Sequence, residues 1–296
     1  MLSSVRRVAL VLLFLVAACG SIGVQAHTIS LAYKTGDVYK YTFHMTLKYT
    51  VGSAGVSAPL DLDMKAKETL TVKSVDSTGV ADIAVELADT SMTLSLAGTT
   101  NTTTTNTMPL SEMKVASNGQ IVSINGRPLG NNMLPGMSEG GLVTAILPDA
   151  AVKPGATWSK SFDQPNPMGT GSNHVTTDNT YVRDEKVGSV NTALVDSKIK
   201  ATLDLSLDLS TLGSALGAGS TPSAPGTAST TLIFRGTATS HVQSWIDTTA
   251  RRVVKTHSTG STDATMTIKA PASDTPSALT GPSTFKGTQT LDLTPA

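Results

Sequence analysis

Several serine and lysine residues have the spacing of known catalytic motifs and could take part in nucleophilic catalysis. Ser111–Lys114 and Ser283–Lys286 match S-x-x-K, and Lys34–Gly36 matches K-T-G; both elements occur in serine acyl-transfer enzymes. The S-D-N element of those enzymes is absent, the K-T-G precedes both serines, and no G-x-S-x-G elbow occurs. Such short matches arise by chance in a chain rich in serine and threonine. The sequence therefore indicates no nucleophilic catalyst, and we expect no enzymatic activity.

Histidines and closely spaced carboxylates are the residues that could hold a metal ion. Asp61 and Asp63, and likewise Asp204 and Asp208, each place two carboxylates on one face of a strand, a spacing that suits calcium or acid/base work. Lysines share those faces, which favours an ordinary solvated surface of mixed charge. The histidines are scattered and show no H-x-x-x-H spacing: His27, His44, His174, His241 and His257. We expect neither a metal site nor a cofactor.

Cys19, the only cysteine, has the clearest chemical role in the sequence. It follows Val16, Ala17 and Ala18 at the end of an apolar run that is preceded by two arginines and is too short for a membrane-spanning helix of about 20 residues. An apolar residue, two small residues and a cysteine resemble the lipobox of bacterial lipoproteins. That resemblance implies cleavage before Cys19 and acylation of its thiol, with palmitate among the attached chains. An ordinary secretory signal ending in small residues is the alternative.

The lipobox resemblance also divides the chain. It implies a lipoprotein signal peptide over residues 1–18, a lipidated cysteine and tether over 19–30, and one β-rich domain over 31–296. An anchor of more than one acyl chain is stable, so the protein is expected on the extracytoplasmic face of a cell membrane or outer membrane. Without the two arginines of the signal the chain carries 20 basic and 22 acidic residues. This near-neutral balance gives no basic surface for nucleic acid.

Alternating apolar and polar residues dominate the rest of the chain and predict long antiparallel strands. Over residues 39–51 every second side chain is apolar, so one face is buried and the other is wet. At about 3.3 Å per residue this strand would be on the order of 45 Å long, and a sheet of such strands must twist and curve. The alternation recurs over 60–73, 81–96 and 193–209. The predicted fold is mainly β, a curved antiparallel sheet that forms a half-barrel or barrel-like body.

Interruptions of the alternation predict turns, a bend and loops. The apolar residues change parity near 88–91, which indicates a bulge. Asn118-Gly119 favours a two-residue type I′ hairpin, and residues 247–250 predict a second hairpin between two strands. The threonine-rich stretch 99–107 and the stretch 210–228, rich in small residues, are predicted as loops.

The middle of the chain loses the two-residue period. Residues 142–147 are apolar and could form a short helix or an apolar plug that Pro148 ends, so we expect at most one or two short helices near 137–147. The order of elements is similar in residues 31–150 and 151–296, which leaves open an internal duplication into two similar halves.

A lipobox, long alternating strands and a mid-chain apolar segment together resemble the lipid and lipoprotein carriers of bacterial envelopes, of the LolA and LppX/LprG types. In those carriers a curved antiparallel sheet wraps around helices and encloses an apolar cavity. The resemblance implies that inward-facing apolar side chains line a ligand cavity, where methionine adapts well to irregular partners. The candidate cavity residues are Met45, Leu47, Met64, Leu142, Ile146, Leu203 and Leu205.

The sequence thus leads to two hypotheses of function. The first is a non-enzymatic, lipid-anchored envelope protein that binds a hydrophobic or lipid ligand in the concavity of its sheet. The second is a structural or interaction lipoprotein with a filled core and no small-molecule ligand, whose partner docks on a loop rim or sheet edge. A ligand cavity of several hundred cubic ångströms would favour the first, and dense packing the second.

Overall fold

The computed structural model describes residues 26–53, 56–107, 111–124, 127–128, 144–165, 169–208, 231–269 and 282–296. These residues form strands, turns and irregular segments but no α-helix, which confirms the mainly-β prediction. No helix in this part of the chain could cross a membrane. The strands are β1 (Val38–Ser53), β2 (Val56–Val75), β3 (Ala81–Leu96), β4 (Thr99–Thr107), β5 (Ser111–Val115), β6 (Ile121–Ile124), β7 (Arg127–Pro128), β8 (Thr157–Pro165), β9 (Gly169–Val187), β10 (Val190–Asp208), β11 (Thr231–Asp247), β12 (Val253–Lys269) and β13 (Pro282–Pro295).

The thirteen strands belong to one antiparallel sheet. Their order is β7-β6-β5-β3-β2-β1-β13-β12-β11-β10-β9-β8, and β4 pairs with β3 beside this path. The pairing of β1 with β13 joins strands from opposite ends of the chain, whereas most other neighbours are consecutive in sequence. Within the described residues the two ends of this order do not pair with each other, so the sheet is open.

The sheet is curved around one large core cluster. Ile83 of β3 and Val115 of β5 are fully buried in the same cluster as Tyr181 of β9 and Val195 of β10, although these strands lie far apart in the sheet order. The amides of Leu147 and Ala145, two residues apart, donate to Asn118 O after β5 at 2.8 Å and to Ser244 Oγ of β11 at 2.9 Å, so the sheet bends to bring these distant strands together. The predicted curved antiparallel sheet is therefore confirmed, and of the two predicted forms the open half-barrel is the one that fits. We call the face that carries this core the inner face.

Residues 144–147 form a buried plug without helical structure. The apolar side chains of this segment are almost fully buried, and the Ala145 amide donates a hydrogen bond to Ser244 Oγ at 2.9 Å. Of the two predicted forms, a short helix or an apolar plug, residues 144–147 therefore adopt the plug. Residues 137–143, the rest of the expected helical region, lie outside the described part of the chain.

The packed structure extends further towards the N-terminus than residue 31. His27 and Val152 exchange backbone hydrogen bonds of 2.8 and 2.9 Å, and Ile29 is buried in the core. The Leu31 amide donates to Ser117 O at 2.7 Å. Residues 26–30, placed in the tether from the sequence, are therefore part of the folded body.

The bend and the second hairpin are both confirmed. The register of β2 against β3 shifts between Lys65 and Lys67, and Asp89 opposite this shift has a φ of 49°. This bulge preserves the inward orientation of apolar side chains on both sides of it. The turn around Asp247 connects β11 to β12, with Asp247 Oδ1 accepting hydrogen bonds from the amides of Thr249 and Ala250 at 2.8 Å.

The loop predicted over residues 99–107 is wrong, because these residues form β4. Their β-branched threonines favour extended backbone, and the whole stretch pairs with β3. The connecting turn is Ala97-Gly98, where φ is 49° and 86°, the two positive values of a type I′ turn. The other predicted loop, 210–228, lies outside the described residues.

The hairpin at Asn118-Gly119 exists, but its turn type differs from the prediction. Only Gly119 has a positive φ, 85°, and its amide donates to Ala116 O at 2.9 Å. This is a type I turn followed by a glycine bulge. Asn118 keeps a negative φ because its side-chain oxygen accepts the Gln120 amide at 3.0 Å, a local bond that holds the turn in this form.

Candidate functional site

The N-terminal half of β2 and the C-terminal half of β3 carry apolar side chains on the inner face. Residues directly opposite each other in an antiparallel pair point to the same side of the sheet, and Met64 belongs to the buried core. The partners of the core-facing residues of β2 must therefore also face inward. The register gives three such pairs: Met64 with Met92, Leu62 with Leu94, and Leu60 with Leu96.

These side chains begin a path that runs from solvent into the core. On β3 the exposed fraction is 49% at Leu96, 37% at Leu94 and 36% at Met92, and it falls to 4% at Thr90. On β2 burial increases in the same direction, down to 1% exposure at Glu68. We call this path the inner track. Its members are Leu60, Leu62, Met64, Ala66 and Glu68 of β2, and Leu87, Thr90, Met92, Leu94 and Leu96 of β3.

Glu68 lies at the buried end of the inner track. It pairs with Tyr41 of β1 and Leu87 of β3 in register, so it faces inward among apolar and aromatic residues. No group in the described part of the chain hydrogen-bonds to either of its carboxyl oxygens. Burial raises the pKa of Glu68 to about 8, so this side chain is an uncharged acid at neutral pH.

Thr90 is the second unsatisfied group at this end of the track. Its residue lies at the bulge between the pairs Lys65–Ser91 and Lys67–Ala88, on the strand next to Glu68. Within the described residues its buried hydroxyl has no hydrogen-bond partner. Buried side-chain polar atoms are usually satisfied, so two unsatisfied groups on adjacent strands call for a specific explanation.

Near Glu68 the tyrosines stay neutral, and Arg252 forms an ion pair with Asp247 at 3.8 Å although its buried Nε has no hydrogen-bond partner among the described residues. The Tyr41 hydroxyl donates to Val253 O at 2.6 Å, and burial raises the pKa of Tyr33, Tyr39 and Tyr41. The Arg252 guanidinium lies 5.5 Å from the centre of the Tyr39 ring. Burial, rather than a neighbouring charge, is the cause of the shift at Glu68.

A second group of buried polar side chains, on the inner face of β9 and β10, is fully paired. Ser197 Oγ donates to Asn179 Oδ1 at 2.6 Å. The amide nitrogen of Asn179 donates to Trp158 O at 3.1 Å and to Thr177 Oγ1 at 3.0 Å. We call these four residues the paired network. Its hydrogen bonds satisfy one another, so it has a structural role.

The structure brings together three of the seven candidate cavity residues. Met45, Leu47 and Met64 lie in the main core cluster on β1 and β2. Leu203 belongs to a separate small cluster centred on β9 to β12, and Ile146 is buried in the plug. Three of the predicted site features lie outside the described part of the chain: Leu142, the side chain of Leu205, and the lipidation site Cys19.

A recess of about 670 Å³ crosses β10, β11, β12 and β13. Its lining includes Lys198, Ile199, His241, Gly260 and Gln289, mostly exposed or partly exposed residues. None of the candidate cavity residues lines it. The recess is thus distinct from the cavity predicted around Met45, Leu47 and Met64, although Gln289 in its lining pairs with the core residue Leu47 and therefore lies on the inner face.

In each of the two S-x-x-K matches, the serine and the lysine lie on opposite faces of their strand. Residues three apart in a strand point to opposite sides, so Ser283 and Lys286 of β13 cannot act on one another. Ser283 is buried, whereas Lys286 forms an exposed ion pair with Asp263 at 2.8 Å. Ser111 and Lys114 are separated in the same way along β5.

Each histidine lies beside an aspartate, and four of these pairs are cross-strand hydrogen bonds. In the described residues no group of three or more His, Cys, Asp or Glu side chains could hold a metal ion. Asp204, from one of the carboxylate pairs, contacts Arg235 at 3.1 Å. Exposed pairs of this kind form an ordinary charged surface. The hydrogen-bonded pairs are His44–Asp63 at 2.8 Å, His174–Asp163 at 2.7 Å, His241–Asp196 at 2.6 Å and His257–Asp292 at 2.7 Å.

Glu68 is the functional candidate that sequence reasoning missed, although a signal for it was present. The apolar series of β2 occupies even positions from Leu60 to Val72, and Glu68 interrupts it at an inward position. A carboxylate in an otherwise apolar series is a local inconsistency of the kind found at functional sites. Thr90 carried no comparable signal, because threonine is common on both faces of these strands.

No protein-family model matches the chain, and a comparison with curated proteins finds no match. The features of the chain that point to a function are the inner track, the unsatisfied groups at its end and the motif at Cys19.

Proposed function

We propose that this chain is a non-enzymatic, lipid-anchored envelope protein that holds a hydrophobic ligand along the inner track. The exposure of Met92, Leu94 and Leu96 carries the proposal, because these side chains continue the buried core and yet remain more than one-third exposed. Burying apolar surface contributes roughly 25 cal/mol per Å². An apolar occupant that covers these three side chains would therefore bind favourably.

The anchor follows from the lipobox resemblance at Cys19. Residues 20–25 separate this cysteine from the first described residue, and a chain spans at most about 3.5 Å per residue. The folded body would therefore stay within roughly 25 Å of the membrane that holds the lipid. This proximity supports exchange of a hydrophobic ligand with the bilayer.

A filled-core structural lipoprotein remains the second candidate function. It is favoured by the packing of the inner face away from the exposed end of the track, where Leu70, Ile83, Val115 and Leu293 are all fully buried. In this case the exposed apolar residues would contact a protein partner rather than a small ligand.

Mass spectrometry of the full chain, purified from a bacterial membrane fraction, tests the anchor. We expect a mature N-terminus at Cys19 carrying acyl chains, and release of a Cys19→Ala variant from the membrane fraction. An unmodified wild-type chain recovered from the soluble fraction would contradict the anchor.

Binding of a pyrene-labelled fatty alcohol and a pyrene-labelled fatty acid to the full chain tests the ligand track. We expect at least one probe to bind, and Leu94→Asp to weaken its affinity about tenfold because a charge is placed on the inner face. Thr93→Asp is the matched control, since Thr93 faces outward and bonds to Thr102 at 3.1 Å. Failure of both probes to bind, or equal effects of the two variants, would exclude the track as the ligand site.

A further inference from the structure

The buried end of the inner track has the properties of a recognition site for the polar end of a ligand. Glu68 and Thr90 lie on adjacent strands, face the core, and are at most 4% exposed. Neither side chain has a hydrogen-bond partner in the described part of the chain. A ligand that follows the apolar side chains from Leu96 inward would meet these two groups at the end of its path.

The paired network shows that this fold can satisfy buried polar side chains when their role is structural. Asn179 and Ser197 also project from long alternating strands onto the inner face, and each finds a partner within 3.1 Å. Glu68 and Thr90 have no such partners within the described ranges, although they are equally buried. An apolar path that ends at unpaired polar groups is the usual form of a small-molecule site.

The surroundings of Glu68 select for an uncharged ligand end. Burial raises the pKa of the carboxyl to about 8, which means that this position does not stabilise a negative charge. Tyr33, Tyr39 and Tyr41, the titratable side chains around it, stay neutral because burial raises the pKa of each. The charge of the nearby cation, Arg252, is already opposed by Asp247 at 3.8 Å, and its guanidinium lies 5.5 Å from the centre of the Tyr39 ring. An anionic head group would therefore be disfavoured here.

The hydrogen-bonding capacity of the two side chains defines the chemistry that fits. A protonated carboxyl donates one hydrogen bond through its O–H and accepts through its carbonyl oxygen, and a threonine hydroxyl can do both. Hydroxyl, ester and amide groups are the uncharged partners that complement this pair. From Glu68 to Leu60 the track extends roughly 26 Å at about 3.3 Å per residue, a length suited to one long acyl chain.

We propose that the ligand is a single-chain amphiphile whose uncharged polar end hydrogen-bonds Glu68 and Thr90, while its chain lies along the inner track towards Leu96. A fatty alcohol and a monoacylglycerol are members of this class. The inference rests on the proposed function, because it names the ligand of the same track.

Three pyrene-labelled probes of equal chain length test this inference on the full chain: an alcohol, a fatty acid and an alkane without a polar end. At pH 7 we expect the wild-type protein to bind the alcohol about tenfold more tightly than either other probe. Glu68→Leu should keep the affinity for the alkane and reduce the preference for the alcohol to less than twofold. Thr90→Val should reduce that preference about threefold.

Glu68→Gln and a pH series separate recognition by the carboxyl from a general effect of burial. The amide of glutamine also donates and accepts, so this variant should keep the alcohol preference. In the wild type that preference should fall as pH rises through about 8, when Glu68 loses its donor proton, and in Glu68→Gln it should not. Urea unfolding of each variant verifies that it is folded.

The outcomes distinguish this inference from the proposed function. If the wild type binds none of the probes, both are wrong. If it binds the probes and Glu68→Leu keeps the full alcohol preference, the track stands but its polar end is not at Glu68. A wild-type preference for the fatty acid at pH 7 would overturn the assignment of an uncharged ligand end.

Discussion

Two parts of the inner face bury polar side chains. In one part these side chains are hydrogen-bonded to each other, and in the other they lack partners among the described residues. In the paired network, Ser197 and Asn179 bond to each other at 2.6 Å and Asn179 reaches two further partners. At the end of the inner track, Glu68 and Thr90 are buried to a similar degree without such partners among the described residues. Both parts are built from long antiparallel strands, so the difference does not come from the type of backbone.

This difference separates polar groups that stabilise the fold from polar groups that are available to a ligand. A buried group with partners recovers the hydrogen bonds that it loses to water, whereas an unsatisfied group costs about 1–3 kcal/mol. Glu68 adds a further cost, since its ionisation is opposed by burial. The paired network should therefore lose stability when it is truncated, while the track end should gain stability or remain unchanged.

Glu68→Gln should give the largest effect and should depend on pH. The pKa of Glu68 rises from 4.5 to about 8 on folding, so the unfolded chain loses this proton at lower pH than the folded chain does. Wild-type stability should be fully present below about pH 4.5 and should fall as pH rises to about 8, at about 1.4 kcal/mol per pH unit. Glutamine removes this loss, so the free energy of unfolding at pH 9 should rise by roughly 5 kcal/mol over wild type.

Urea unfolding at pH 4, 6 and 9 measures this effect. Glu86→Gln is the matched control, because Glu86 lies exposed on the neighbouring strand β3. Equal changes in stability for both variants across this pH range would show that Glu68 is not the buried acid described above.

Leu70→Ala and Leu96→Ala compare a buried residue just beyond Glu68 with an exposed residue at the solvent end of the inner track. Leu70 is fully buried on β2 and Leu96 is 49% exposed on β3. We expect Leu70→Ala to lower the free energy of unfolding by about 3 kcal/mol, and Leu96→Ala by less than about 1 kcal/mol. Thermal or urea unfolding measures both. A large loss for Leu96→Ala would mean that this residue is part of the core rather than a ligand surface.

Asn179→Ala should destabilise the protein by about 2 kcal/mol, because it leaves the buried hydroxyl of Ser197 and the carbonyl of Trp158 without their partner. Urea unfolding of the full chain measures the change. A neutral result would remove the distinction between the paired network and the track end.

Thr90→Val should have the smallest effect, leaving the free energy of unfolding unchanged or raising it by up to about 1 kcal/mol, since the threonine hydroxyl has no partner to lose among the described residues. Thr177→Val is the matched variant in the paired network, where the hydroxyl accepts from Asn179 at 3.0 Å. We expect only Thr177→Val to be clearly destabilising. A larger loss of stability for Thr90→Val than for Thr177→Val would contradict the difference between the track end and the paired network.

Particular residues show how much of the fold and site could be predicted. The alternation over 39–51 correctly assigns Met45 and Leu47 to the inner face, and the parity change near 88–91 locates the bulge at Asp89. The strand over 99–107 was missed because low-complexity threonine matches loop composition as well as β propensity. Leu203 shares the inward parity of Met45, yet it packs in a different cluster, since parity gives the face of a residue but not its neighbours.

The sequence by itself determined where the long strands lie, which side chains share a face, and that a carboxylate stands among apolar residues at position 68. These properties follow from the two-residue period of a strand, which is local. Only the tertiary structure decided that β1 pairs with β13, where Tyr49 bonds to Gln289 across 240 residues of sequence, and that Ser197 has a partner while Glu68 has none among the described residues. Strand order and hydrogen-bond satisfaction depend on contacts between distant residues, which no local pattern encodes.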